Sequence, residues 1–154
     1  MEERIERLRS LSEKLGREHA PLEFGLRITT FVRDTTEQAW AEAEAKVAEM
    51  AKNDMAKNKG ALPRNPYRQT AVGQQRLLDL ATRGDVLDDN LYTAPGKVGG
   101  GGAGTTWLVG SPEDVAKSLR KYEDLGITHF VLSDTPYLPE IERQGNQLLP
   151  LLRE

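Results

Sequence analysis

Cysteine is absent from this chain, and its only histidines, His19 and His129, stand far apart. Without thiols there can be no disulfide, thiolate metal site or cysteine nucleophile, and two isolated imidazoles do not make a metal cluster. Long apolar runs are missing too. Nothing approaches the roughly 18 apolar residues of a membrane span, and the opening Met1-Glu2-Glu3-Arg4-Ile5 lacks the apolar segment of a signal peptide. Nor is charge of one sign concentrated: 21 basic and 24 acidic residues are dispersed, leaving a net charge of −3 and no basic stripe to neutralise phosphates. These absences exclude nucleic acid and membrane as expected partners and metal as an expected cofactor. They predict a cytoplasmic protein.

What is present suits one α/β domain. A compact fold of 154 residues buries about 68–70% of its unfolded surface, with a hydrophobic fraction here of 38%. The organising stretch is 22–34, which reads as a strand. Its even positions, Leu22, Phe24, Leu26, Ile28, Thr30 and Val32, form an apolar face, and its odd positions carry Glu23, Gly25, Arg27, Thr29, Phe31 and Arg33. A capped helix follows at once, which suggests a βα unit of a parallel sheet. Parallel strands are normally covered on both faces. The polar face with Arg27 therefore lines a barrel lumen or lies on an exposed edge.

Around this strand, residues 1–21 form a leading helix with Ile5, Leu8, Leu11 and Leu15 at helical spacing, closed by Gly16 and Pro21. Thr35 with Gln38 makes a capping box for an Ala-rich helix running to about Lys59, with Trp40, Ala43, Val47, Met50 and Ala51 inward. A second helical stretch spans Val72 to Thr82. Residues 85–106 lack periodicity and include the glycine-rich run Gly99 to Gly104, so the whole of 35–106 reads as helices and a mobile insertion. No Walker-type or dinucleotide-type glycine spacing occurs there. Residues 107–154 read as helix, strand, helix. Ser111 caps and Pro112 starts the first helix, Gly126 ends it, Ile127 to Ser133 is a buried-type strand, and a final helix from about Pro139 is kinked or ended early by Pro150. The two strands, 22–34 and 127–133, are expected to be parallel neighbours.

Several of these segments together carry a likeness. Phe24-Gly25-Leu26-Arg27-Ile28, the run Val32 to Trp40, Val72 to Arg76, Gly102-Ala103-Gly104-Thr105, Leu108 to Pro112 and Phe130 to Ser133 resemble, in order, the C-terminal part of flavin-dependent luciferase-like monooxygenases, closest to the alkanesulfonate monooxygenases. The resemblance implies an α/β fold that is a partial TIM (β/α)8 barrel: about two parallel strands, flanking helices and a helical, glycine-rich insertion. It also implies reduced FMN supplied by a separate flavin reductase, and cleavage of an aliphatic sulfonate to aldehyde and sulfite. Arg27 matches the arginine of the active-site strand and is the implied catalytic residue. Thr29, Gly102, Gly104, Thr105, Thr135 and Tyr137 match positions that contact substrate or flavin.

Departures from the pattern point to a related substrate. The family's histidine two residues after the arginine is Thr29, its arginine before the Gly-Ala-Gly-Thr loop is absent, the tyrosine of its strand-end loop is Thr135, and Tyr137 takes the histidine position. Three readings follow: a monooxygenase portion inactive alone and completed by an N-terminal barrel fragment, a non-catalytic oligomerising remnant or interaction module, and a small flavin or anion binder. In the isolated chain no tightly bound flavin is expected. Two strands cannot close a lumen, so their edges and orphaned apolar residues predict homo-oligomerisation.

Overall fold

The computed structural model describes residues 1–16, 21–58, 72–98 and 105–153, the side chains of 54–58, 74 and 78 excepted. Its centre is a five-stranded sheet. Strand β1 (Gly25–Val32) lies between β4 (Trp107–Gly110) and β5 (His129–Ser133) and is parallel to both. The hairpin of β2 (Val86–Leu87) and β3 (Leu91–Tyr92) extends it antiparallel, in the order β2-β3-β4-β1-β5. The expected parallel pairing of the two long strands is found. The expected count of about two strands is corrected: three are parallel, and two more belong to a hairpin. Residues 85–98, read as part of an unstructured insertion, are that hairpin and a short 3₁₀ helix, Ala94–Val98. Tyr92, Thr93 and Pro95 are buried there, because β3 pairs with β4 and so joins the sheet core.

Among the described residues, five helices and a short terminal one surround the sheet. Helix α1 (Glu2–Lys14) docks through Ile5, while Leu8, Leu11 and Leu15 stay exposed, so its apolar stripe is only partly used. Helix α2 (Thr36–Asn58) starts where expected: Thr35 Oγ1 accepts from the Gln38 amide at 3.2 Å. Helix α3 (Val72–Thr82) and helix α4 (Pro112–Asp124) also match expectation, and Ser111 Oγ accepts from the Asp114 amide at 3.2 Å. The turn after α4 requires glycine. Gly126 has φ +95°, and a Cβ there would meet Arg9 Nη2 at 2.9 Å.

The C-terminal segment differs from its expectation. Helix α5 (Tyr137–Arg143) continues through a π-helical turn, Gln144–Leu148, into α6 (Leu149–Leu152). Pro150 lies in the first turn of α6, where a missing amide costs nothing, so it starts that helix instead of ending one. In the π-helical turn Gln144 meets Thr30 of the central strand: Thr30 Oγ1 donates to Gln144 Oε1 at 2.9 Å, and Gln144 Nε2 donates back to the Thr30 carbonyl at 3.2 Å. A buried hydroxyl on an apolar strand face is thereby satisfied.

Two cores sandwich the sheet. On the even face of β1, Ile28 and Val32 pack with Leu108, Leu91, Val115, Leu119 and Leu148. On the odd face, Phe31 packs with Trp107, Val109 and Tyr92 against Ala39, Ala43 and Val47 of α2. Small residues on α2 let it approach the aromatic row closely. Among the described residues no helix is long and apolar enough to cross a membrane.

Candidate functional site

The odd face of β1 is divided. Helix α2 covers it from Phe31 onward and leaves the first half of the strand open. Arg27 is exposed there, opposite Val131 of β5, which is 57% exposed. Beside this pair, Gly25 lies opposite the exposed His129. Among the described residues the Arg27 guanidinium has no hydrogen-bond or ion-pair partner. Two residues on, Thr29 shares the face but is 7% exposed, flanked by Trp107 on one side and Ser133 on the other. A free guanidinium thus stands at the border between an open polar and apolar band and a packed aromatic wall.

At the carboxyl ends of the parallel strands lies a charged cluster that the sequence reading missed. Arg33 is 7% exposed, and its guanidinium caps the Phe31 ring at 4.1 Å. Nη1 donates to the Val32 carbonyl at 2.7 Å and to Glu140 Oε2 at 3.1 Å, and Nε donates to Glu42. The Arg33 hydrogen bond, joined by one from Gln38, holds the Glu42 carboxyl below its ordinary value. Nε and Nη1 of Arg33 are committed to these partners, and the residue is buried.

Lys46 is placed differently. Its ammonium lies 5.1 Å from the Phe31 ring centre and 5.5 Å from that of Trp107, and donates at 2.8 Å to both Asp134 Oδ1 and the Thr135 carbonyl. Asp134 also accepts from the Thr135 amide at 2.7 Å, while its buried Oδ2 has no partner among the described residues. The loop after β5 is therefore tied to α2 through its backbone. Thr135 and Tyr137 themselves project outward, Tyr137 with 65% exposure, and the Thr135–Pro136 peptide is cis.

Thr105 is fully buried. Its methyl group lies 2.6 Å from where a Gly96 Cβ would stand, so the 3₁₀ helix passes over it at a distance only glycine permits, and its hydroxyl has no partner among the described residues. Gly102 and Gly104 lie outside the described residues. Arg27 and Thr29 thus share one strand face, Thr135 and Tyr137 lie beyond the end of the adjacent strand, and Thr105 is in the interior. Among the described residues no three His, Cys, Asp or Glu side chains converge as a metal site. A weak signal for the missed cluster existed: Glu42 and Lys46 stand one helical turn apart, and Arg33 extends the odd face that holds Phe31. Nothing linked them to Asp134, which is 88 residues from Lys46.

Residues 1–129 match the family model described as luciferase-like monooxygenase, a span from α1 to the first residue of β5.

Proposed function

The chain belongs to the luciferase-like monooxygenase family, and from that premise we propose that it is the C-terminal portion of a reduced-FMN-dependent, two-component monooxygenase acting on an aliphatic sulfonate or a related small organic substrate. The observation that carries this reading is the exposed Arg27 on the open half of β1, which has no partner among the described residues. A guanidinium offers two parallel N–H groups to a sulfonate, a phosphate or a flavin oxygen, and an uncommitted one is available for that contact. The adjoining surface fits such a ligand, with Val131 and Gly25 giving flat apolar contact and Thr29 a hydroxyl at the inner margin.

Reduced FMN, when bound, would supply the electrons for oxygen activation. Arg27 would hold the anionic group and Thr29 would limit how deep it sits, while Thr135 in the loop that Lys46 anchors and Tyr137 at the start of α5 lie past Phe31 and would meet only a ligand long enough to reach beyond it. An open strand face does not exclude water from reactive oxygen chemistry. The reading therefore includes a covering surface, an N-terminal barrel fragment or a second copy, and a flavin reductase as the source of reduced flavin.

Weak binding is measurable by anaerobic titration of the ¹⁵N-labelled chain with reduced FMN. The expected result is saturable shifts confined to the amides of 25–29, 129–133 and 135–137. Shifts elsewhere, or none at millimolar flavin, would contradict the reading. A second reading, a non-catalytic interaction module, draws on the sheet edge at β5 and on exposed Tyr137, Leu138 and Ile141 of α5. Sedimentation equilibrium of a self-associating chain that ignores flavin would favour it.

A further inference from the structure

On the other side of the sheet from Arg27, a pocket of about 360 Å³ opens between the turn joining β2 to β3 and helix α4. That volume lies within the range of small-molecule sites. Its floor is apolar: Leu91 and Leu108, both buried, present side chains of the even-face core, and Tyr122 of the last turn of α4 with Leu125 just after it forms a wall. At its back Ser118 Oγ donates to Asn90 Oδ1 at 2.6 Å, while the buried Asn90 Nδ2 has no partner among the described residues. Charge at the mouth comes from Asp88, Asp89 and Lys121.

These three charges are not equivalent. Asp89 accepts from Lys121 at 2.5 Å and lies 4.0 Å from Lys117, and the hydrogen bond from Lys121 holds its carboxyl below the ordinary value. Lys121 is neutralised by the same contact. Lys117 and Lys121 both pair with Asp89, so the four charges balance, but Asp88 has no ion pair of its own among the described residues and is the carboxylate at the mouth open to a ligand. It is also held at φ +50°, the only non-glycine residue with positive φ among the described residues. Tyr122 senses that charge: burial first, and Asp88 second, push its phenol up from 10.0. A cation seated at the mouth would meet Asp88 and could lie over the Tyr122 ring.

We propose that this pocket binds a small organic cation, a primary or quaternary amine with an apolar body of about ten heavy atoms, the body on Leu91, Leu108 and Leu125 and the ammonium against Asp88 and Tyr122. This site is separate from the Arg27 face and opposite to it in charge preference.

A series with one phenylethyl body and different head groups tests it: 2-phenylethylamine, 2-phenylethanol and 3-phenylpropanoate, titrated into the ¹⁵N-labelled chain. The expected result is shifts localised to 88–91 and 118–125, with the amine bound roughly tenfold tighter than the alcohol and the carboxylate weakest. In Asp88→Asn, which keeps a residue tolerant of positive φ, the amine's advantage disappears; Asp88→Gly does the same and also relaxes the backbone. Equal binding of amine and alcohol, tighter binding of the carboxylate, an unchanged preference in both variants, or no localised shifts would each overturn the proposal.

Discussion

Within the single strand β1 two halves have opposite fates. From Ile28 to Val32 every residue is buried, with α4 and the C-terminal helices on one face and α2 on the other. From Gly25 to Arg27 only Leu26 is partly covered. Helix α2 makes the difference: it begins four residues after the strand, folds back over Phe31 and Trp107, and packs mainly on β4 and the 3₁₀ helix, so Arg27 stays outside the surface it covers. Just past the covered half, Arg33 is ion-paired with Glu42 and Glu140. In the uncovered half Arg27 has no ion-pair partner among the described residues. This contrast assigns stability to one half and ligand contact to the other.

The largest effect should come from breaking the covered half. Phe31→Ala removes a ring that is 1% exposed, stacks on Trp107 at 5.7 Å and lies under two cations, and a loss of about 3–5 kcal/mol is expected in chemical denaturation. Arg33→Met removes the hydrogen-bonded cation of Glu140, 4% exposed, and leaves it only Arg143 at 3.4 Å, so a smaller loss of roughly 1–3 kcal/mol is expected. A loss below 1 kcal/mol in both would mean that α2 does not seal this half.

A smaller effect sharpens the boundary on the hairpin side. Gly96→Ala forces a methyl group to 2.6 Å from Thr105 Cγ2, and the crowding should cost about 1–3 kcal/mol. Full tolerance of that alanine would show that the 3₁₀ helix is not packed on Thr105.

Acid should produce the smallest effect. The folded-state pKa of Glu42 is lowered, so the stability it contributes is complete above its ordinary value of 4.5 and is lost as pH falls through the lower folded value. Because this carboxylate is 44% exposed, the contribution is screened and modest. Glu42→Gln should flatten the acid limb of a stability profile below pH 4.5 and leave the alkaline limb unchanged. At that alkaline limb, burial raises the Tyr92 and Tyr122 phenols, so their contribution is complete below pH 10.0 and is lost as pH rises through the raised values.

Much of the scaffold was legible in the sequence because it rests on local signals. Thr35 with Gln38, and Ser111 with Pro112, mark helix starts by chemistry that operates within three residues. The pairing of β1 with β5 followed from two apolar runs separated by helices. The hairpin strands, two residues each, are too short to show a period of two, and β4 is a strand because β1 and β3 flank it. Arg27 could be placed on a strand face by alternation alone. That the same face becomes a core at Phe31 could not, since it depends on how α2 folds back. The ties from Lys46 to Asp134 and from Arg33 to Glu140 join residues 88 and 107 positions apart, beyond any local pattern.

The division of β1 is tested most directly by one variant, Arg27→Ala, measured twice: by denaturant unfolding and by the amide shifts that reduced FMN induces. Replacing an exposed, unpartnered side chain should leave stability within about 0.5 kcal/mol of the parent, while the flavin-induced shifts at 25–29 and 129–133 weaken at least severalfold. A stability loss above about 1 kcal/mol with flavin shifts unchanged would contradict the account, because Arg27 would then be part of the scaffold.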